Sequence, residues 1–219
     1  ERDRLAFRLR LERYFAPQLM EKILRSPERL VSAEQKTLTV LFSDIAGFTS
    51  WCSGQPPAVI HETLNEYFEE MTGIVFRHEG TVDKFIGDGL MAFFGDPLAQ
   101  PDHALRAVRS AIEMQLAARR LRAAWEPAGR LPLAIRVGIN TGEVVVGDMG
   151  SLRITAYTAI GAAVNLAQRL ESKAPVGGIL VSEPVWQTVR GAVAMVARGR
   201  IAAKGIAEEF PVWELTVPD

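Results

Sequence analysis

Several features that often reveal a protein's class are scarce or missing in this sequence. There is one cysteine, Cys52, which excludes an intramolecular disulfide and a cysteine-rich metal site. No apolar run approaches the roughly 18 to 20 residues that cross a bilayer as a helix. Net charge is nearly absent too: 25 Lys and Arg stand against 26 Asp and Glu, a formal balance of −1. That balance argues against a global polycation and therefore against non-specific nucleic-acid binding. The opening ERDRLAFRLR is charged throughout and does not read as a secretory leader. The expected location is cytoplasmic, with membrane anchoring of a longer protein left open, since the chain opens on Glu1 rather than Met.

What the chain does contain is enough for a substantial core: 219 residues, 48% hydrophobic and 23% charged, in the ordinary globular range. Charge is unevenly spread. Residues 1–30 carry seven Arg and one Lys against five acids, a net of +3, which leaves −4 for the remainder. Here Leu5, Leu9, Phe15, Leu19 and Ile23 form an imperfect helical stripe that Pro17 and Pro27 interrupt. Residues 1–35 are read as a helical connector that couples or dimerises, in preference to a membrane-surface helix, and an upstream regulatory domain is expected before it. Residues 36–219, without repeats or low-complexity tracts, read as one domain.

Within that domain, TLTVLFS (37–43) predicts a buried strand ending at Asp44. A helix is expected from about Pro57, with Ile60, Leu64, Phe68, Met71 and Val75 at three- and four-residue steps. Residues 81–86 and 90–94 predict a hairpin around Gly87-Asp88-Gly89. A second helix follows from about Asp102, with Leu105, Val108, Ile112 and Leu116 on one face. Two short strands, 133–139 and 144–146, are expected to flank Asn140-Thr141-Gly142-Glu143, before a third helix over 162–172 and strands near 179–181 and the C-terminus. The order βαββαβ with additional C-terminal elements predicts an α+β, ferredoxin-like domain: a mainly antiparallel sheet with helices packed on one face.

Asp44 and Asp88 end up at strand ends that this topology sets side by side. Paired carboxylates are hard oxygen ligands suited to Mg²⁺ or Mn²⁺, and two such ions can clamp a phosphoryl transfer. A plainer alternative has Asp44 capping a short helix and Asp88 filling a turn. Asn165 and Arg169, four apart on the third helix, project from one face. The three histidines and Cys52 read as structural or solvated groups, and the acidic cluster at 62–70 as a wet helix face.

Three blocks, FSDIAGFT (42–49), DKFIGDGLMAFFG (83–95) and TAIGAAVNLAQRL (158–170), together resemble the catalytic domain of class III nucleotidyl cyclases, in order and spacing, over roughly 37–215. The resemblance implies a homodimer or pseudodimer with active sites at the interface, forming a cyclic 3′,5′-monophosphate and pyrophosphate from a nucleoside triphosphate. It implies that Asp44 and Asp88, with the Ile45 carbonyl, hold two divalent cations. It also implies that Lys84 reads the purine, that Asn165 orients the ribose, that Arg169 stabilises the triphosphate and that Lys204 binds phosphate. In the family's homodimers the aspartates come from one protomer and Lys84, Thr158, Asn165 and Arg169 from the other.

Lys84 as a pure donor suits adenine N1, an acceptor, and not guanine N1, which carries a proton. Thr158 departs from the Asp that adenylyl cyclases often carry there, and a hydroxyl that both accepts and donates blurs the purine choice. Lys with Thr resembles the bacterial, soluble-adenylyl-cyclase-like branch. ATP is therefore the expected substrate and bicarbonate an expected effector, with a guanylyl cyclase or a catalytically silent cyclase-like module as alternatives.

Overall fold

The computed structural model describes residues 33–151, 155–201 and 209–217. Its first strand, β1 (Glu34–Ile45), is buried without interruption from Leu38 to Ser43. Such a run needs cover on both faces, because successive side chains alternate. Leu38, Val40 and Phe42 enter one core, Leu41 and Ile45 another.

β1 pairs antiparallel with β3 (Gly89–Phe94) on one side and β4 (Ile135–Gly150) on the other, and β2 (Thr81–Ile86) pairs antiparallel with β3. The sheet continues from β4 through β6 (Ile179–Ser182) and β8 (Phe210–Leu215) to β7 (Met195–Ile201), while β5 (Thr155–Ile160) folds back on the far end of β4. Among the described pairings only β4 with β6 is parallel. The order β2-β3-β1-β4 is the expected ferredoxin-like core, and the fold is α+β with a mainly antiparallel sheet.

Five α-helices complete the described chain: α1 (Phe48–Cys52), α2 (Pro57–Arg77), α3 (His103–Trp125), α4 (Ala162–Lys173) and α5 (Glu183–Val189). Tyr67, Met71 and Ile74 of α2 meet Leu41, Leu90 and Phe94 in the larger core. There α3 presents Ala104, Ala107, Ala111, Ala117 and Ala118 together with Val108 and Met114. Of the face expected for it, Leu105 and Ile112 are only partly buried. The small side chains let this helix lie close to the sheet.

Two expectations are corrected. Helices cover both faces of the sheet rather than one: Val164 and Ala167 of α4 pack on Leu38, Val40, Phe42, Met91 and Phe93, opposite α2 and α3. Two glycines of β4 make room for it. A Cβ at Gly138 would lie 2.0 Å from the Glu171 backbone nitrogen and 2.4 Å from the Ala167 carbonyl, and one at Gly142 2.9 Å from Ala163 Cβ. The two strands expected around residues 140–143 are one strand. Asn140, Thr141, Gly142 and Glu143 stay in register with Val40, Thr39, Leu38 and Thr37. Their polar character serves lateral bonds: Asn140 Nδ2 donates to the Ala163 carbonyl (2.9 Å), and the Thr141 and Thr39 hydroxyls lie 2.6 Å apart.

β1 takes up the last two residues of the segment read as connector, and residues 1–32 of that segment lie outside the described residues. No helix among the described residues is long and apolar enough to cross a membrane.

Candidate active site

The paired-carboxylate site arises from register. Ser43 faces Leu90 across β1 and β3, and β2 and β3 close on Ile86 and Gly89 through the two residues Gly87 and Asp88. Gly87 has φ +63°, in the left-handed region that tight hairpins reserve for glycine. Gly89 allows close approach: a Cβ there would lie 3.1 Å from the Ser43 carbonyl and 3.4 Å from Asp44 Oδ1. Asp88 is thereby carried to Asp44, and Gly47 rather than Asp44 stands at the N-terminus of α1.

Their proximity is visible in the electrostatics. Burial first, then the Asp88 charge and a hydrogen bond to it, push the Asp44 carboxyl from 3.8 up to about 6, against the pull of Arg136 and the Ile45 N–H. Arg136 stands directly across the β1–β4 ladder from Asp44. Glu171 of α4 belongs to the same field: burial and then the Asp44 charge raise it to about 7, again opposed by Arg136. Asp44 and Glu171 thus share one guanidinium while the Asp88 charge acts on both, an excess of negative charge that a divalent cation would relieve. Among the described residues no three His, Cys, Asp or Glu side chains gather into a protein-only metal cage. Two carboxylates and a carbonyl would leave coordination positions to water and phosphate oxygens, as Mg²⁺ prefers. The residues present fit such an ion.

A second cluster forms where β5 reaches β2. Lys84 Nζ donates to Thr158 Oγ1 at 3.0 Å. Thr158 Oγ1 donates in turn to Asp83 Oδ2 at 2.6 Å, and the Ala159 N–H donates to the same oxygen at 3.2 Å. Asp83 Oδ1 makes no directional hydrogen bond but lies 3.2 Å from Lys84 Nζ as an ion pair. The Asp83 side chain is 1% exposed, that of Lys84 45%. Lys84 and Thr158, 74 residues apart, are thus adjacent in one protomer.

Asn165 and Arg169 lie one turn apart on α4, Asn165 exposed and Arg169 half-buried. Among the described residues neither side chain hydrogen-bonds to the aspartates or to the Lys84 cluster. Lys204 lies outside the described residues.

Residues 30–215 match the family model for the adenylate and guanylate cyclase catalytic domain. The chain belongs to this family. Its relatives include adenylate cyclase 1 of Rhizobium meliloti (strain 1021), 32% identical over 186 residues that cover 84% of this chain and 28% of that protein. An adenylate cyclase of Mycobacterium tuberculosis (strain ATCC 25618 / H37Rv) is 35% identical over 190 residues, 86% of this chain and 42% of the relative. The soluble guanylate cyclase subunit beta-2 of Rattus norvegicus is 30% identical over 190 residues, 86% and 27% respectively. The chain thus spans less than half the length of these relatives.

Among solved structures, the adenylyl cyclase CyaB from P. aeruginosa superposes with a TM-score of 0.83 at 38% identity, over 86% of this chain and 97% of that one. The guanylyl cyclase Cya2 gives 0.80 at 39% identity, over 84% and 93%. Cyclases named for either purine are therefore similarly close, and overall likeness does not select the nucleotide.

Three residues of this cyclase domain escaped the sequence reading: Asp83, Arg136 and Glu171. Strict alternation sets Asp83 and Lys84 on opposite faces of β2, but the β2–β3 register shifts between Val82 and Lys84, and such a bulge re-aims side chains. Its trace in the sequence was an acidic residue beside the motif lysine. Arg136 and Glu171 reach Asp44 only through the β1–β4 register and the seat of α4, and no local signal announces them.

Proposed function

We propose that this cyclase domain converts ATP to 3′,5′-cyclic AMP and pyrophosphate. The observation that carries the reading is the Lys84–Thr158 pair, joined at 3.0 Å. An ammonium has protons only to give, and adenine N1 accepts one where guanine N1 does not. The resemblance to adenylyl cyclases with Lys and Thr at these positions supports the same purine.

Asp44, Asp88 and the Ile45 carbonyl would hold two divalent cations, Mg²⁺ or Mn²⁺, which when bound acidify the 3′-hydroxyl and neutralise the triphosphate. Asn165 holds the ribose so that its 3′-oxygen faces the α-phosphorus. Arg169 places a planar, permanently charged guanidinium against the phosphate oxygens as charge builds on the leaving pyrophosphate. Lys204 adds a cation to the triphosphate.

The site is shared across a two-fold homodimer, with the aspartates from one protomer and Lys84, Thr158, Asn165 and Arg169 from the other. Phe85 and Ile86, between Lys84 and the hairpin tip, are 49% and 47% exposed, and apolar surface at the rim of a half-site supports this assembly. Bicarbonate is the proposed effector and an upstream regulatory domain the proposed source of control.

The test is cyclic nucleotide production from ATP and from GTP with Mn²⁺, across protein concentration and with or without bicarbonate. The expected result is a higher kcat/KM for ATP, specific activity that rises with protein concentration, and stimulation by bicarbonate. A preference for GTP would overturn the purine assignment, concentration-independent specific activity the shared site, and an absent response the effector.

A further inference from the structure

Building on the adenine reading above, we infer that Asp83 is a positioning residue that sets purine specificity by fixing the direction of the Thr158 hydroxyl. A threonine hydroxyl has one proton to donate and two lone pairs that accept. Here the proton is spent on Asp83 Oδ2 at 2.6 Å, and one lone pair takes the Lys84 ammonium at 3.0 Å. One lone pair is left. Toward a nucleotide base, Thr158 is therefore an acceptor, which matches the 6-amino group of adenine and opposes the 6-oxo group of guanine.

Asp83 is suited to impose this polarity. As a carboxylate it only accepts, and two donors converge on its Oδ2, the Thr158 hydroxyl and the Ala159 N–H, while the Lys84 ammonium is ion-paired with its Oδ1. Its side chain is 1% exposed, so water does not compete for those bonds. The Ala159 N–H anchors Oδ2, the oxygen that receives Thr158, and the bulge between Val82 and Lys84 turns Asp83 inward while Lys84 stays accessible. Thr158 with Asp83 behind it presents to the base the acceptor that a carboxylate would present at that position, without placing a second charge against the adenine.

The experiment measures kcat/KM for ATP and GTP with Mn²⁺, and displacement of a fluorescent ribose-labelled nucleotide by each, for wild type, Asp83→Ala, Asp83→Asn, Thr158→Val and the double variant Asp83→Ala/Thr158→Val. Asp83→Ala frees the hydroxyl to turn outward and donate, and the ATP:GTP ratio should fall about tenfold, the worth of one hydrogen bond reversed in sense. Asp83→Asn should lower kcat/KM for both nucleotides, because its NH2 then faces the Lys84 ammonium where Oδ1 stood, yet keep the ratio within about threefold, because the Ala159 N–H selects the carbonyl oxygen of the amide for the Thr158 side. In the Thr158→Val background, Asp83→Ala should leave the ratio unchanged, since no hydroxyl remains to orient.

A carboxylate that merely supports the fold would depress both nucleotides alike in either background. An ATP-preferring wild type whose ratio survives Asp83→Ala, or shifts equally in the Thr158→Val background, overturns this inference alone. A wild type that prefers GTP overturns it together with the adenine reading. Loss of folding in both Asp83 variants while Thr158→Val folds assigns Asp83 to the scaffold and overturns the inference as well.

Discussion

Metal-free protein should become more stable when one of its two site aspartates is neutralised. Asp44 and Asp88 repel across the top of β1 and β3, and the rise of the Asp44 carboxyl from 3.8 to about 6 corresponds to about 3 kcal/mol of preference for the protonated form. Burial is the largest cause, the Asp88 charge the next, and Arg136 and the Ile45 N–H pull the other way. Asp44 is also only half-buried, so solvent screens the pair, and the share belonging to Asp88 is about 1 kcal/mol.

The sign follows from linkage. The folded chain holds the Asp44 proton more tightly than the unfolded chain, so its cost is absent below the unfolded value of 3.8 and complete above about 6. Asp88→Asn in EDTA should therefore raise stability by about 1 kcal/mol at about pH 7.5, or about 2–4 °C in Tm, and by almost nothing at about pH 4. Added Mn²⁺ should reverse the order, stabilising wild type and leaving the variant nearly unmoved. Thermal or urea denaturation at the two pH values, with and without the ion, measures all of this. An apo variant less stable than wild type at the higher pH, or an equal gain at both, would falsify the repulsion on which the cation site is argued.

Three further outcomes follow from other contacts. Gly138→Ala should cost more than about 3 kcal/mol or abolish folding, because its Cβ would sit 2.0 Å from the Glu171 nitrogen; a near-wild-type melt would refute the seat of α4. Glu171→Gln should stabilise the apo protein by about 1 kcal/mol above about pH 7 and not below about pH 4.5, since the carboxyl is raised to about 7 even with Arg136 pulling it down and solvent screens much of what that rise would otherwise cost; a uniform loss across pH would show that the carboxylate is wanted ionised. Mixing Asp88→Ala with Arg169→Ala protein should restore activity at one good site per heterodimer, and absence of recovery after confirmed subunit exchange would rule out complementary half-sites.

How far this site was legible depends on the distance over which each relationship acts. Asp44 at the end of a buried run, Asp88 between two glycines and Lys84 four residues earlier are local patterns, and the β1–α2–β2–β3–α3–β4 order brings the aspartates together by simple pairing. Local reading failed where a residue answers to something distant. Asn140-Thr141-Gly142-Glu143 has turn-like composition, yet Asn140 is bonded to the start of α4 and Gly142 lies beneath Ala163, so what resembled a break is the floor of a helix-packing site. The same glycine-bearing strand carries α4 to the second face of the sheet, and with it Glu171 to the aspartates.

The proposed purine contact shows the same division more sharply. Lys84 and Thr158 were recognisable as types at positions, but the sense of the Thr158 hydroxyl was not, because a hydroxyl has no polarity until something takes its proton. That partner, Asp83, sits one residue from Lys84 and is hidden by a bulge that breaks the two-residue period. The near-zero net charge of the chain conceals these arrangements in the same way. Carboxylates in excess at Asp44, Asp88 and Glu171 favour cations, while beside Thr158 a carboxylate is matched against Lys84 and spends its remaining acceptor capacity on orientation. Substituting Asp88 should therefore change how the protein responds to metal, and substituting Asp83 how it distinguishes bases. Each effect should leave the other largely untouched, because the two carboxylates act on different partners.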